Sequence, residues 1–500
     1  MRRALAILMT VLTALLIFSF SAAEDLRAPD YVMEGCDGDS AGHDWETNLF
    51  FQRMQEETGI RFEFRQFTDA AAWTARKEEI LKGEDLPDVL FKAALTDGET
   101  RSMADAGILI DLKPLLEENA PDLWALLQAN PEYLAAVTMP DGSIRALPCI
   151  NELPQNNLVW INRTWLKNLK LEMPRTAEEL TEVLRAFRDQ DANRNGKNDE
   201  VPLSVLGMWD LHFLAHAFGI TDNDYFVSLK EGTVESALTS QNNYDFLTWL
   251  HLLWEEGLLS HDCFTTMDSL RQITDSNAAI PYGVFLSNSP LSVVPAAALD
   301  QYAALEPLEY EGARVYRDLL GPLTRGTFAL TRACKNPERM ITWVNWLYTE
   351  EGSILMQAGR EGTEYFWTED GTWEWMEDLQ TVANDVLPHA TLSDGGVAPG
   401  IVTLDFQRKY EDASTQAQIG EMVKVQAYAK QPFPLVYLTG EDAEAAAKLQ
   451  AQIGPFAEKR MAEFVTGDAP LNQETWNEFA GELENLGLTK MIAIWQKYVR

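Results

Sequence analysis

The chain has 500 residues, with 40 Lys and Arg against 77 Asp and Glu, and a formal net charge of −37. Nucleic-acid binders neutralise phosphates with a basic face, so this balance excludes that class of partner. Hydrophobic residues make up 46% and aromatic residues 10%, with 15 Trp, which supplies a core and excludes intrinsic disorder. Length alone fits about three domains or two large lobes. Only 4 Cys are present, too few for a disulfide scaffold.

The first 23 residues carry the pattern of an export signal. Arg2 and Arg3 precede an apolar run from Ala4 to Phe20, and Ser21, Ala22 and Ala23 give a small-residue exit before Glu24. Cleavage is expected after Ala23. The alternative is an uncleaved anchor, because the run falls only a little short of the ~20 residues that span a bilayer. The first cysteine, Cys36, stands far from the apolar run, so a lipid anchor is not expected. The chain therefore reads as exported, to the periplasm or the outer face of the cell membrane. Cys36, Cys149, Cys263 and Cys334 lack metal-type spacing, and an oxidising compartment permits disulfides without fixing a pairing.

The remaining chain alternates strands and helices. Glu46–Thr58 reads as a helix ended by Gly59, and residues 60–67 alternate apolar and polar like a strand. A helix over Ala70–Lys82 leads to a short buried strand over Leu86–Phe91, and another helix ends near Gly107. Met139–Pro148 carries a hairpin signature with Asp141-Gly142 as its turn. Helical spacing then marks Gln241–Glu256, Pro337–Glu351, Asp442–Glu463 and Gln473–Leu486. The fold class that follows is α/β, with mainly parallel sheets and a helix-rich C-terminal part.

One loop has the chemistry of a cation site. Asp191, Asn193 and Asn195 place side-chain oxygens at alternate positions, followed by Gly196, Lys197, Asp199 and Glu200. A hard cation such as Ca²⁺ takes six to eight oxygens, and a tight loop supplies them from alternate residues, with a backbone carbonyl after the Gly. Position 12 of a full EF-hand loop is a Glu; here it is Pro202, so Glu200 has to close the site early. The competing reading is a solvated Asn/Asp/Gly turn.

Catalytic motifs are absent from the sequence. His212 and His216 share one helical face, but the surrounding run Leu211–Phe218 is apolar, which favours packing. No HExxH, GxSxG, GxGxxG or P-loop appears in a suitable context. Paired Glu residues lie on helix surfaces, where carboxylates are solvated, although a glycosidase pair across a cleft is not excluded. Aromatic residues are more informative. Trp160, Trp209, Tyr282, Tyr365, Trp367, Trp373 and Trp375 fall in or beside predicted loops, with Glu152, Asn156 and Asn157 near the first of them. A flat ring flanked by amides and carboxylates suits the apolar face and polar rim of a sugar. Lobe packing is the competing reading for each ring alone.

The stretch Leu158–Leu180, running into the Asp/Asn loop and Val201-Pro-Leu203, resembles the family 1 extracellular solute-binding proteins of ABC importers. The similarity lies with their oligosaccharide- and alginate-binding branch. Leu86-Pro-Asp-Val, Ala106–Leu112, Asp141–Pro148, Trp254–Leu259, Gly359-Arg-Glu-Gly362 and Phe464–Gly467 continue it along the chain. The resemblance implies a two-lobed fold of the periplasmic-binding-protein type, closing on a hinge around a carbohydrate, with an ABC permease as partner. It also implies a monomeric, non-enzymatic chain without nucleic acid. One structural calcium is implied, held by Asp191, Asn193, Asn195, Lys197 (carbonyl), Asp199 and Glu200.

On this basis lobe 1 is expected over 24–153 and about 286–365, and lobe 2 over 154–285 and about 366–500. Hinges are expected near 150–156, 280–287 and 320–328. The expected ligand contacts are Asn157, Trp160, Trp209, Tyr282, Glu361, Tyr365 and Trp367. An exported glycan hydrolase and a peptide-binding or sensory protein remain the alternatives.

Overall fold

The computed structural model describes residues 28–499, apart from 39–43, 155, 265–269, 276–277 and 319–320. The expected export signal lies outside the described residues. In the first half, β1 (Tyr31–Cys36), β2 (Phe62–Phe67) and β3 (Val89–Phe91) run parallel with β1 between the other two. Helices α1 (Leu49–Thr58) and α2 (Ala70–Leu81) connect them. The Asn48 side chain accepts the Phe50 N–H to cap α1, and Gly59 at φ 64° ends it.

Helix α3 (Asp97–Asp105) opens with a capping box between Thr96 and Glu99. Three short helices with proline in the first turn follow: α4 (Lys113–Asn119), α5 (Pro121–Ala129) and α6 (Pro131–Val137). They lead to β4 (Leu147–Asn151). The expected hairpin around Asp141-Gly142 is only a turn. Gly142 donates to the Met139 carbonyl, and the Ile144 carbonyl accepts from Leu112 rather than from a partner strand.

Beyond Asn151 a second sheet begins with β5 (Leu158–Asn162), followed by α7 (Arg163–Leu169), α8 (Ala177–Asp189) and β6 (Val201–Ser204). A small hairpin, β7 (Ser228–Lys230) with β8 (Thr233–Glu235), and α9 (Gln241–Glu255) precede β9 (Tyr282–Ser287) and β10 (Tyr302–Ala304). The sheet order is β10-β5-β9-β6. After β11 (Tyr316–Arg317), β12 (Leu323–Leu330) returns to the first sheet and lies antiparallel between β3 and β4. Gly326, at φ 71°, lets β12 approach closely, since a Cβ there would meet the Leu95 carbonyl oxygen at 2.1 Å.

Lobe 1 continues through α10 (Pro337–Asn345) and α11 (Glu350–Ala358). These were expected as one helix to Glu351. The chain tightens over Trp346–Tyr348, and Thr349 starts a new helix by accepting the Gly352 N–H. The aromatic hairpin β13 (Tyr365–Trp367) with β14 (Trp373–Trp375) follows, and β15 (Gly400–Val402) joins the first sheet beside β4. Lobe 2 is completed by α12 (Ala413–Gln426), β16 (Ala429–Lys430) against β11, and α13 (Gly440–Thr466), α14 (Gln473–Leu486) and α15 (Leu488–Gln496).

Both sheets are mixed rather than mainly parallel. The lobe boundaries also move. Residues 302–304 pair with β5 and so belong to lobe 2, while 400–402 pair with β4 and belong to lobe 1. The crossings therefore follow β4, β11 and the segment 404–410, which packs on the lobe 1 hairpin, and do not lie at 286 and 365; 280–287 is an internal strand rather than a hinge. The four cysteines are unpaired, and Cys149, Cys263 and Cys334 are buried.

Two buried titratable groups hold these lobes in shape. In lobe 1 the Lys92 Nζ contacts both Asp37 carboxylate oxygens at 2.8 Å and donates to the Asp394 carbonyl at 3.0 Å. Asp37 also accepts from Trp45 Nε1 and from the Gly396 backbone, each at 2.8 Å. In lobe 2 His216 sits between two backbone groups, with Nδ1 2.8 Å from the Phe213 carbonyl oxygen and Nε2 accepting the Leu308 N–H at 2.9 Å. Burial pushes its pKa down to about 4, against the opposing pull of the Phe213 carbonyl.

Substituting Lys92→Ala strands the Asp37 carboxylate in the core and is expected to cost ~3–5 kcal/mol in urea unfolding. For His216 the folded state resists the proton that the unfolded chain takes up near pH 6.5. Stability conferred by the neutral imidazole is complete above that pH and is lost as pH falls toward 4. Urea unfolding at a series of pH values should show about 3 kcal/mol more loss between pH 7 and 4 in the parent chain than in His216→Gln.

Candidate functional site

All three crossings use the same edge of each sheet. In lobe 1, β1, β3, β4 and β15 end at this edge and β12 begins there. In lobe 2, β5 begins opposite the carboxyl ends of β6, β9 and β10. Ligands of such sheets bind outside the carboxyl ends of the strands, and here those ends converge on the crossings. A hollow of about 570 Å³ opens between the lobes, lined by Thr96, Asp97 and Arg101 from lobe 1 and Asn223, Tyr225 and Trp495 from lobe 2.

The lobe 1 edge is set by the Asp37–Lys92 pair, which ties the ends of β1 and β3 to the 394–396 loop. Lys92 and Ala94 hold φ at 47° and 45°, a backbone conformation that costs energy outside glycine and collects at ligand-binding edges. On lobe 2, Asn157 begins the sheet and donates from Nδ2 to Asp210 Oδ1 at 2.7 Å. Asp210 Oδ2 accepts the Leu206 N–H at 2.7 Å. Burial raises the Asp210 pKa, while the Leu206 and Asn157 hydrogen bonds act against that rise. The neighbouring Trp209 is 49% exposed and packs edge-on against Phe213 at 5.1 Å. Beneath them the Tyr316 hydroxyl donates to the Asn157 carbonyl, and Arg317 lies over the Phe213 ring at 5.3 Å.

The expected ligand contacts separate into three places. Asn157 and Trp209 stand together at the crossing edge. Trp160, 1% exposed, is a core residue whose Nε1 donates to the Ser287 carbonyl at 2.9 Å. Tyr282, 7% exposed, lies at the far end of β9, and its hydroxyl accepts the Arg271 N–H at 3.0 Å. Both are corrected to packing roles: every residue of β5 and β9 is buried, so an aromatic side chain there fills the core on either face. Glu361, Tyr365 and Trp367 line a separate groove of about 1240 Å³ whose walls belong wholly to lobe 1. Sequence reading missed Asp210 and Lys92. A lone Lys straight after the apolar run Val89-Leu-Phe91 was the available signal for the second.

The oxygen-rich loop lies between α8 and β6. Asp191 Oδ2 accepts the Gly196 N–H at 3.0 Å, Asn193 Oδ1 the Asn195 N–H at 2.9 Å, and Asn195 Oδ1 the Lys197 N–H at 2.7 Å. Glu200 turns back to accept the Asn193 N–H at 3.3 Å. The Asn193 and Asn195 amides donate to Asp199 at 3.1 and 2.9 Å and hold its pKa below the usual carboxylate value, the Asn195 bond most. Gly196 takes φ 77°, which the turn requires. Among the described residues no three His, Cys, Asp or Glu side chains gather at one point. An ion here would therefore need amide and backbone oxygens beside the carboxylates, an all-oxygen set that suits a hard cation.

No family model matches the chain. It is 27% identical over 551 aligned positions to the fructooligosaccharide ABC transporter substrate-binding protein FusA of Streptococcus pneumoniae, covering 99% of this chain and 97% of that protein. The FusA structure in complex with kestose superposes with a TM-score of 0.71 at 25% identity, covering 94% of this chain and 98% of that one. A solute-binding protein of Bifidobacterium longum infantis that binds human milk oligosaccharides gives 0.79 at 22% identity, with 94% and 98% covered. The alginate-binding protein AlgQ2, solved without calcium ion, gives 0.68 at 19% identity over the same shares. FusA has also been solved as an EF-hand mutant with fructo-nystose. From end to end, the chain is similar in sequence and in its two-lobed fold to solute-binding proteins of ABC importers.

Proposed function

We propose that the chain captures a carbohydrate of oligosaccharide length between its lobes, outside the cytoplasmic membrane, and delivers it unaltered to an ABC permease. The observation that carries this reading is the half-exposed Trp209 beside the Asn157–Asp210 pair, on the edge where every crossing meets. An indole face packs on the C–H face of a sugar ring, and a carboxylate and amide beside it take the hydroxyls. The protein is a binder rather than an enzyme, and the chemistry needs no covalent step. A ligand that touches both lobes only in the closed form shifts the population toward closure, and the permease reads that form.

A structural calcium in the loop Asp191–Glu200 is part of the same reading. Asp191, Asn193, Asn195, Asp199 and Glu200 would hold it by side-chain oxygen and Lys197 by its carbonyl. Its role would be to pin the turn between α8 and β6 by drawing the loop's side-chain and backbone oxygens onto one cation. The Asp37 and Lys92 side chains would order the opposing edge.

Isothermal calorimetry with kestose and nystose should give saturable binding, weakened at least about tenfold, or ~1.4 kcal/mol, by Trp209→Ala. Absence of heat with these and with other neutral oligosaccharides would contradict the carbohydrate reading. For the cation, EDTA should lower the melting temperature of the parent chain and leave that of Asp191→Ala unchanged. A parent chain indifferent to EDTA and free of stoichiometric calcium by elemental analysis would reject the site.

A further inference from the structure

The 1240 Å³ groove in lobe 1 is not explained by lobe closure. It runs between α1 on one side and α10 and α11 on the other, from Thr58 and Arg339 to the 359–367 segment. The aromatic rings along it are Trp343, Trp346, Tyr365 and Trp367. Tyr365 and Trp367 are held by the Phe406 ring, whose centroid is 6.1 Å from each of theirs.

Two residues of the lining carry buried donors with no acceptor: Arg53 Nη1 and Trp343 Nε1. The other terminal nitrogen of Arg53 is fixed, with Nη2 2.7 Å from Glu364 Oε1. Glu364 in turn accepts the Arg360 N–H at 2.7 Å through Oε2. That chain of contacts ties the 359–364 loop to α1 and leaves Arg53 Nη1 unused. A buried N–H without a partner costs about 1–3 kcal/mol, so this pair, one in each wall, favours an occupant rich in oxygen acceptors.

Charge narrows the class of ligand. Glu57, Glu350, Glu351 and Glu361 line the groove, while the guanidinium of Arg53 is neutralised by Glu364, and those of Arg339 and Arg360 stand 3.9 Å from Asp30 and Glu56. An anionic ligand would meet these carboxylates, whereas sugar hydroxyls donate to carboxylates and accept from N–H groups. The half-buried rings of Trp346 and Trp367 supply apolar faces that pyranose or furanose rings pack on, with Trp343 and Tyr365 buried behind them.

We infer that this groove is a second carbohydrate site, taking a neutral saccharide on lobe 1 alone, independent of the inter-lobe cleft. The chemistry is that of the cleft reading, but the site and its test are separate.

The full chain, labelled with 5-fluorotryptophan, tests this by ¹⁹F NMR during titration with kestose and nystose. Trp367→Phe and Trp209→Phe identify the two resonances by their disappearance. The Trp367 resonance should move with a midpoint in the millimolar range, distinct from that of Trp209, and should move equally in Trp209→Ala. Glu361→Gln should weaken the Trp367 event several-fold and leave the Trp209 event unchanged. A Trp367 resonance that stays still while Trp209 responds overturns the groove site and leaves the cleft reading intact. A Trp367 shift that vanishes in Trp209→Ala also overturns it, because it then reports closure. Movement of Trp367 alone supports the groove and contradicts the cleft.

Discussion

Strand β12 sits in the middle of the lobe 1 sheet, between β3 and β4, although the chain has already built the lobe 2 sheet before reaching it. The rest of the architecture depends on that insertion. Without residues 323–330 the first sheet is split into two parts, and its edges are left with unpaired backbone groups. Placing β12 there forces a return crossing, and adding β15 beside β4 forces another. Three connectors on one edge follow, and they leave each lobe its own core. Relative rotation about a few short segments is then the softest large motion available.

Local signals in the sequence located much of this. Gly59 marks the end of α1 because a left-handed exit is a local need, whereas the start, expected at Glu46, falls at Leu49 behind the Asn48 cap. Gln473–Leu486 was legible for the same reason, between Asn472 and Gly487. The lobe boundaries were not legible. Whether Tyr302–Ala304 or Gly400–Val402 completes a given sheet depends on pairings with β5 and β4, more than a hundred residues away.

The site shows the same division. Trp209 and Asn157 stand at the crossing edge, beside the loops expected for them from the sequence. Trp160 and Tyr282 were misread because their strands are buried throughout, which removes the alternation that separates a core face from an open one. Asp210 gains its place from two hydrogen bonds, to Asn157 and Leu206, and the first of these spans 53 positions in sequence. The turn of the oxygen-rich loop was legible, because its hydrogen bonds are contained within ten residues.

The net charge of −37 sits beside a cleft whose polar groups include a carboxylate, amides and an indole, with Arg317 occupied by Asp222 and the Phe213 ring, Arg101 by the Leu438 carbonyl and Arg325 by Asp97. That composition favours hydroxyl-rich, uncharged ligands over polyanions. In the proposed reading lobe 2 offers the aromatic platform, and lobe 1 supplies an edge set by its buried Lys92–Asp37 pair.

Rotation of these halves about the three connectors is the central claim, and small-angle X-ray scattering in solution measures it most directly. Saturation with an oligosaccharide that binds should reduce the radius of gyration and the maximum dimension of the particle. Identical scattering profiles with and without a saturating ligand would contradict the account.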